Sequence, residues 1–309
     1  MARVTGNGES VLNSRRSRPT VSVIVPALNE GRNLPHVAAR MPAVDELILV
    51  DGGSVDDTVA VARRLWPAVR IVEQTRRGKG NALACGFAAA RGDIIVMIDA
   101  DGSTDPAEIP RFVSALCQGA DFAKGSRFMA AGGSADITRL RRIGNKALNA
   151  FVNILFQTRY SDLCYGYNAF WAHCLPVFDL DHASPRPVGD GRLWGDGFEI
   201  ETLLNLRVAR AGLQVAEVAS FEHERIHGDS NLNAVTDGLR VLRTIFREWP
   251  RRATPPPSDR WYGDAVTTHE VPVAPKEVVI TAREVLPTRR LDPAPAAAQT
   301  EDAVYRRAS

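Results

Sequence analysis

Short apolar runs alternate with helical patterns between residues 19 and 250. Four runs carry apolar side chains on both faces, as expected of strands that helices cover on both sides. They span residues 21–25, 46–50, 69–72 and 93–98, and helical spacing follows at residues 33–41, 57–65 and 79–90. Strand–helix–strand units of this length indicate a parallel sheet. We therefore predict an α/β fold in one domain, with a Rossmann-like, mostly parallel sheet flanked by helices.

A helix start is well marked after the fourth run. We predict Asp105 as its N-cap, with Pro106 at the first helical position and Glu108 at the third. Ligands of open α/β sheets bind beyond the carboxyl ends of the strands. We therefore expect the turns at residues 26–30, 51–54 and 99–103 to gather around one crevice.

The two ends of the chain differ from its middle in composition. Residues 1–18 are locally basic, and nine of the nineteen prolines lie between Pro250 and Ser309. Such segments bury too little apolar surface to fold. We assign residues 1–18 to a disordered basic arm, 19–250 to the folded domain and 251–309 to a Pro-rich, mostly disordered tail. The net charge of +2 gives no reason to expect a nucleic acid partner.

Cysteine usage and hydropathy bear on where the protein resides. The four cysteines, Cys85, Cys117, Cys164 and Cys174, form no CxxC pair, so we interpret them as buried thiols of a reducing compartment. No window approaches the roughly 20 apolar residues that a membrane span needs. We expect a cytoplasmic protein without a transmembrane span, at most peripheral on the inner face of the membrane.

The strongest chemical signal is the pair of carboxylates Asp99 and Asp101, which flank Ala100 directly after a buried strand. Mg2+ and Mn2+ prefer oxygen ligands, and Mg2+ often binds through one or two carboxylates plus substrate phosphates. A metal here would offset the charge on a departing nucleoside diphosphate. The alternative is a strand end followed by a polar turn, which is preferred for an isolated Asp-x-Asp, but the context of this pair favours the metal site.

Two other turns carry polar residues suited to a ligand. Asp51 begins an Asp-Gly-Gly-Ser turn, where it could accept hydrogen bonds from a ribose or base, whereas Asp56 is interpreted as a helix cap. Lys79 lies between two glycines at the start of a helix, which suits contact with a phosphate or nucleotide. The third glycine of a dinucleotide fingerprint is Leu83 here, and the chain has no Walker-type GK[ST], so hydride transfer and NTP hydrolysis lose support.

Four motifs in order resemble the inverting family 2 glycosyltransferases, most of all their dolichol-phosphate mannose synthase and polyprenyl-phosphate sugar synthase branch. They are VIVPALNE at residues 23–30, VDGGS at 50–54, DADGS at 99–103 and GSRF at 125–128. The resemblance implies a GT-A fold, a nucleotide-diphospho-sugar donor, Mg2+ or Mn2+ as cofactor, and inversion at the anomeric carbon. It places the nucleoside against Pro26, Leu28, Glu30, Leu49 and Asp51, and the metal and diphosphate against Asp99, Ala100, Asp101 and Ser103.

The same resemblance assigns two arginines to the donor. Arg127 occupies the position of a basic residue near the donor, and Arg225 matches a late basic loop that closes over the diphosphate. Guanidinium groups can hold phosphate oxygens bidentately. The chain departs from the branch at Asn231, where a lysine is usual, and at Asn168, where an arginine is usual. Both departures remove positive charge from the region where the resemblance places a phosphate acceptor.

An acidic patch at residues 195–201 resembles the acceptor side of the family. Asp196, Glu199 and Glu201 are candidates for a base that deprotonates an acceptor hydroxyl, a step that an ionised phosphate acceptor does not need. Glu201 matches the branch best by position, whereas one helical face would present Asp196 and Glu199 together. The alternative is an acidic first helical turn favoured by the helix dipole.

Residues 139–157 are basic first and then apolar. This region approaches the membrane in the family branch, and an interfacial helix would suit a polyprenyl phosphate acceptor. A packed core helix explains the same apolar positions and is favoured by composition alone. We interpret His223 and His227 as loop histidines and expect no second metal there.

The predicted function is transfer of a hexose from a UDP- or GDP-sugar to a polyprenyl phosphate or similar acceptor at the membrane surface. In this prediction Asp99 and Asp101 hold the metal, Arg127 and Arg225 stabilise the leaving diphosphate, and an acid near Glu201 orients or deprotonates the acceptor. The alternatives are a transferase with a soluble metabolite or glycan acceptor, a non-catalytic nucleotide-sugar-binding protein, and a nucleotidyltransferase.

Overall fold

The computed structural model describes residues 18–185, 193–228, 234–251 and 254 of the chain. The strands in these residues are β1 Val21–Ala27, β2 Glu46–Asp51, β3 Arg70–Glu73, β4 Ile94–Met97, β5 Phe122–Ser126, β6 Gly133–Ser134, β7 Asn168–Trp171, β8 Val215–Ala219 and β9 Phe221–Glu222. The helices are α1 Leu34–Arg40, α2 Thr58–Leu65, α3 Lys79–Ala89, α4 Ile109–Cys117, α5 Arg139–Phe156, α6 Leu175–Phe178, α7 Ile200–Arg210 and α8 Ala234–Glu248.

Seven strands form one sheet in the order β3-β2-β1-β4-β7-β5-β8, and β6 pairs with β9. Every neighbouring pair in the large sheet is parallel except the two that involve β7, which runs antiparallel to β4 and β5. The carboxyl ends of β1, β2 and β4 therefore meet at one edge of the sheet. This architecture confirms the predicted α/β fold with a mostly parallel sheet.

The core lies where β1, β2 and β4 meet helix α3. Ile24 of β1 pairs with Ile48 of β2 and Met97 of β4, and all three side chains are buried. Helix α3 crosses this surface at Gly86, where an added Cβ would lie 2.4 Å from the Ile24 side chain. The runs that form β1, β2 and β4 are thus buried, as their pattern predicted, whereas β3 at the edge of the sheet is only partly buried, contrary to that prediction.

A short 3-10 turn, Pro106–Glu108, leads into α4. The Asp105 carboxylate accepts a hydrogen bond from the Ala107 N–H at 3.0 Å, which confirms the predicted N-cap. Ile109, Phe112 and Leu116 form the buried face of α4. The loop between β4 and α4, which carries the paired aspartates, is therefore held at both of its ends.

Helices α5, α7 and α8 enclose a second apolar cluster, formed by Val152, Tyr160, Leu163, Leu206, Val241 and Ile245. Both interpretations of residues 139–157 find partial support in it. Val152 packs in this cluster as a core residue, whereas Leu140, Ile143 and Ile154 are exposed on the outside of α5. The helix therefore has a packed face and an exposed apolar face.

The structure tests the expectation that the four thiols are buried. Cys85 and Cys174 are buried as predicted, but Cys117 is exposed and Cys164 is half-buried, so the prediction of four buried thiols was wrong. Cys117 is the last residue of α4, and its side chain points away from the face that packs on the sheet.

Among the described residues, no helix is both long and apolar enough to cross a bilayer. Residues 1–17 and nearly all of 251–309, predicted as a basic arm and a tail, lie outside the described residues.

Candidate active site

The turns after β1, β2 and β4 gather at the carboxyl edge of the sheet. The Asn29 N–H donates to Ser54 Oγ at 3.0 Å, and Asn29 Oδ1 accepts from the Val55 N–H at 2.8 Å. Arg225 then joins the first turn to the third, because its guanidinium contacts both Glu30 and Asp101. The structure thus brings the three predicted turns together.

The residues predicted against a nucleoside differ in what they offer. Leu28 is 55% exposed and Pro26 is half-buried, so both present apolar surface at the crevice. Leu49 is fully buried in β2, which corrects its predicted contact with the nucleoside. Asp51 is nearly buried and accepts hydrogen bonds from the Gly53 and Ser54 N–H groups at 3.2 Å, so its carboxylate already stabilises its own turn. Glu30 is half-buried, and its carboxylate forms an ion pair with the Arg225 guanidinium.

Asp99 and Asp101 project from the loop beyond β4, and each carboxylate is matched by a cation. Lys79 Nζ lies 2.6 Å from Asp99 Oδ1, and Arg225 Nη2 lies 2.8 Å from Asp101 Oδ2. Asp101 Oδ1 also accepts the Ser103 N–H at 2.9 Å, closing a turn in which Gly102 has φ +80°. Ala100, predicted with them, is buried and serves to space the two aspartates.

Lys79 joins this pair to the acidic patch on the far side of the crevice. Its Nζ lies 2.7 Å from Glu201 Oε1, and only 14% of the Lys79 side chain and 8% of the Glu201 side chain are exposed. Burial lowers the pKa of Lys79, but the Asp99 and Glu201 carboxylates raise it more, so the amine stays charged. Burial likewise raises the pKa of Glu201, and Lys79 opposes that rise. Lys79 is therefore a fixed cation between two carboxylates.

The start of α3 is closed to phosphate, which corrects that prediction for the glycines around Lys79. The Gly80 and Asn81 N–H groups donate to the Asp196 carbonyl at 2.8 and 3.3 Å. A Cβ on Gly78 or Gly80 would lie 2.0 or 1.8 Å from the backbone at 195–196. These glycines therefore admit another segment of the chain, whose carbonyl satisfies the free amides of the helix.

The same packing shows which acidic residue at positions 195–201 contacts Lys79. Asp196 accepts a bidentate contact from the buried Arg76 at 2.8 and 2.9 Å, and Glu199 accepts the Gly195 N–H at 3.0 Å. Helix α7 begins at Ile200, so Asp196 and Glu199 precede it and share no helical face, contrary to that interpretation. Glu201 lies in the first turn of α7 and is the acid of this patch that contacts Lys79.

Arg127 lies at the end of β5 in a buried network of its own. Its Nε and Nη2 donate to Asp162 at 2.7 and 2.9 Å, and its Nη1 donates to Glu222 at 3.0 Å. The guanidinium also lies 4.9 Å from the Tyr165 ring. Burial lowers the pKa of Arg127, and Asp162 raises it more. The donors of Arg127 are thus engaged by protein groups, and its predicted contact with the diphosphate stays a prediction.

Sequence reasoning did not identify this network. Asp162 lies 35 residues after Arg127 in the chain, and no role was predicted for it. Asn168, interpreted as a lost positive charge near the acceptor, is fully buried in β7 next to Met97, which corrects that reading. The other departure, Asn231, falls outside the described residues.

The loop at residues 223–228 lies directly over the Asp99–Ser103 turn. The His223 N–H donates to the Ser103 carbonyl at 2.8 Å, and the Ile226 N–H donates to the Asp101 carbonyl at 3.4 Å. The Ile226 side chain covers Gly102, where an added Cβ would lie 2.7 Å from Ile226 Cδ1. Arg225 is thereby held beside Asp101, and its predicted contact with the diphosphate stays a prediction.

The residues of this cluster fit a divalent cation that substrate helps to bind. Four carboxylates, Glu30, Asp99, Asp101 and Glu201, face two cations, Lys79 and Arg225, which leaves two negative charges. No group of three or more His, Cys, Asp or Glu ligands occurs among the described residues. Mg2+ commonly takes one or two carboxylates plus substrate phosphates and water, so two aspartates suffice.

Known proteins resemble the chain over this same region. The family model described as glycosyl transferase family 2 matches residues 22–175. Polyprenol monophosphomannose synthase of Mycolicibacterium smegmatis is 31% identical over 261 residues, covering 80% of this chain and 92% of that protein. Undecaprenyl-phosphate mannosyltransferase of Micrococcus luteus is 31% identical over 232 residues, covering 72% and 91%.

Solved structures agree on the architecture. Glucosyl-3-phosphoglycerate synthase from Mycobacterium tuberculosis in complex with UDP gives a TM-score of 0.57 at 25% identity, covering 76% of this chain and 82% of that one. The same enzyme in complex with Mn2+, UDP-glucose and phosphoglyceric acid gives 0.56 at 25% identity, with the same coverage. The chain therefore belongs to glycosyltransferase family 2 and is a glycosyltransferase with the GT-A fold, as its motifs predicted.

Proposed function

We propose that the protein transfers a hexose from a UDP- or GDP-sugar to a polyprenyl phosphate or a similar acceptor at the membrane surface. The observation that carries the proposal is the placement of Asp99 and Asp101 at the carboxyl edge of the sheet, beneath Arg225. Two carboxylates and a guanidinium meet there, as a metal-bound diphosphate requires. Family membership sets aside the non-catalytic and nucleotidyltransferase alternatives.

The donor site is supported by the surfaces around this cluster. Leu28 and Pro26 offer apolar surface beside the cluster, and the Asp51 turn lies at the end of the neighbouring strand β2. Asp99 and Asp101 would hold Mg2+ or Mn2+, and the ion would neutralise charge that develops on the leaving diphosphate. The M. tuberculosis neighbour crystallised with Mn2+ and UDP-glucose, which supports this kind of donor without deciding between UDP and GDP.

The chain's own residues have distinct roles in this proposal. Arg225 binds the diphosphate oxygens once they draw its guanidinium away from Asp101. Lys79 holds Asp99 and Glu201 in place from the buried side of the cluster. Glu201 orients the acceptor opposite the donor, and displacement from that side inverts the anomeric carbon. Arg127, engaged by Asp162 and Glu222, positions the end of β5 through its ion pairs.

The lipid acceptor is supported by the two mannosyltransferase relatives and by α5. Leu140, Ile143 and Ile154 are 67%, 69% and 81% exposed, and the exposed Arg142 and Lys146 lie on the same helix. Exposed apolar residues flanked by cations suit an interfacial helix. Such a helix would bring the crevice to a polyprenyl phosphate in the membrane.

A soluble acceptor is the second candidate. Glu201 is a buried carboxylate whose pKa burial raises, which suits a group that takes a proton from a hydroxyl. The M. tuberculosis neighbour was also crystallised with phosphoglyceric acid, a soluble molecule. This candidate uses the same donor site and differs only in the acceptor.

A radiolabelled-donor assay tests both candidates. UDP- and GDP-hexoses are supplied with Mn2+, with and without a short-chain polyprenyl phosphate, to the protein and to Asp101→Ala. Asp57→Ala, which removes an exposed carboxylate that pairs with Arg64, is the matched control. We expect organic-extractable sugar that needs Mn2+ and lipid, retained in the control and lost in Asp101→Ala. Turnover that ignores the lipid supports the soluble acceptor, and no donor turnover in any condition refutes the proposal.

A further inference from the structure

The Arg225 guanidinium is paired with two carboxylates at the carboxyl edge of the sheet. Its Nη2 is 2.8 Å from Asp101 Oδ2 and its Nη1 is 3.3 Å from Glu30 Oε1. Asp101 is one of the two carboxylates assigned to the metal under the proposed function, on which this inference rests. The guanidinium therefore neutralises one of the two carboxylates assigned to the metal.

The loop that carries Arg225 is held closed by contacts of its own. Its backbone bonds to Ser103 and Asp101, Ile226 covers Gly102, and Asn33 Nδ2 donates to the His227 carbonyl at 3.2 Å. These contacts are all made with protein groups, and they place the guanidinium beside the aspartate. The ion pair is thus supported by the packing of the loop itself.

The two cations of the cluster are held very differently. Lys79 is 14% exposed and fixed between two carboxylates at the start of a helix. Arg225 is 29% exposed and extends from a loop. A planar guanidinium also matches phosphate oxygens bidentately, which an ammonium does not. Arg225 is therefore the cation that a diphosphate can draw away, whereas Lys79 stays.

We propose that Arg225 is a placeholder counter-ion, which weakens metal binding to Asp101 until a nucleoside diphosphate takes the guanidinium. A divalent cation that approaches the free site meets a positive charge already seated on its ligand. When the diphosphate binds, the same charge moves to phosphate and the aspartate is released. Metal and nucleotide then promote each other's binding by more than their direct contact.

The test measures the affinity of one variant, Arg225→Gln, for Mn2+ and for a nucleoside diphosphate. We expect the two affinities to change in opposite directions. Mn2+ binding to the protein and to Arg225→Gln is measured by the loss of the free-ion electron paramagnetic resonance signal, without nucleotide. We expect the variant to bind Mn2+ about tenfold more tightly, which corresponds to about 1.4 kcal/mol. UDP and GDP binding in the presence of Mn2+, measured by calorimetry, is expected to weaken in the same variant.

Two further variants separate this effect from net charge. Arg64→Gln removes an exposed arginine on α2, and we expect it to leave Mn2+ binding unchanged. Arg225→Lys keeps the charge, and we expect its Mn2+ affinity to stay near that of the unaltered protein. Melting curves confirm that each variant is folded.

The outcomes distinguish this inference from the proposed function. If the unaltered protein binds neither UDP nor GDP with Mn2+, the proposed function itself fails. If it binds one of them and Arg225→Gln shows unchanged or weaker Mn2+ binding without nucleotide, the placeholder role is overturned while the donor site stands. Equal tightening in Arg64→Gln would also overturn it, because the effect would then be one of overall charge.

Discussion

Replacing Lys79 by methionine isolates the buried cation that joins the two sides of the site. Methionine preserves most of the side-chain volume and removes the charge. Glu201, 8% exposed, then loses the cation that lies 2.7 Å from its carboxylate, whereas Asp99 is 28% exposed and keeps contact with water. Breaking a buried ion pair on one side costs about 3–5 kcal/mol. We expect a loss of about 3 kcal/mol in the free energy of unfolding at neutral pH.

The pH dependence of that loss has a definite sign. Burial already raises the pKa of Glu201 above its ordinary value of 4.5, and without Lys79 the pKa rises further. The folded variant then holds a proton that the unfolded chain releases, so its stability falls as pH rises above the ordinary value. The loss relative to the unaltered protein should therefore be smaller at about pH 5.5 than at about pH 8.

Urea unfolding followed by tryptophan fluorescence measures both effects. The double variant Lys79→Met with Glu201→Gln carries no buried unpaired carboxylate at this position, and we expect it to recover part of the stability at the higher pH. Arg64→Met is the control, because its ion pair is exposed on both sides and such pairs contribute about 0–1 kcal/mol. A Lys79→Met loss that is equal at both pH values, with no recovery in the double variant, would refute the reasoning.

The remaining predictions concern other contacts of the site. Asp162→Ala leaves Arg127 buried without its bidentate partner and should lower the free energy of unfolding by about 3–5 kcal/mol, as urea titration will show. Gly80→Ala would place a Cβ 1.8 Å from the Gly195 carbonyl, so we expect a lower melting temperature, whereas Gly144→Ala, with open space around it, should melt normally. Chelation with EDTA should abolish sugar transfer, and added Mn2+ should restore it; transfer that persists after chelation would contradict a metal held by two carboxylates.

The strands of the sheet could be predicted from the sequence because their pattern is local. The runs that became β1, β2 and β4 are apolar at most of the positions that the sheet buries, with Ser22 and Asp51 as buried polar residues, and turn residues follow each run. Asp105 was likewise predicted as a helix N-cap, and the structure shows it in that role. Such features depend on neighbours a few residues away, which a single sequence displays directly.

The contacts that define the site join residues that are far apart in the chain, so they could not be predicted from a single sequence. Lys79 was predicted against phosphate because it stands between glycines, but those glycines make room for the backbone near Asp196. The family resemblance placed Leu49 against the nucleoside, yet the sheet buries this residue fully. Which partner satisfies a charged side chain depends on segments that approach only after folding. The motifs therefore located the turns that meet at the carboxyl edge of the sheet, but not the ion pairs between them.

The reversed direction of β7 has a consequence for how this enzyme can diversify. Because β7 runs antiparallel to β4, the segment leading into it reaches the carboxyl edge of the sheet from outside the strand–helix–strand units that contain β1, β2 and β4. Gly166 in that segment sits over the cluster, where an added Cβ would lie 3.1 Å from Lys79 Nζ and 3.2 Å from Glu201 Oε1. We infer that evolution can exchange this segment, and with it the acceptor, while the nucleotide-sugar half stays intact. A chimera that carries a relative's segment should keep its UDP or GDP affinity and change its acceptor; loss of nucleotide binding in a folded chimera would reject that modularity.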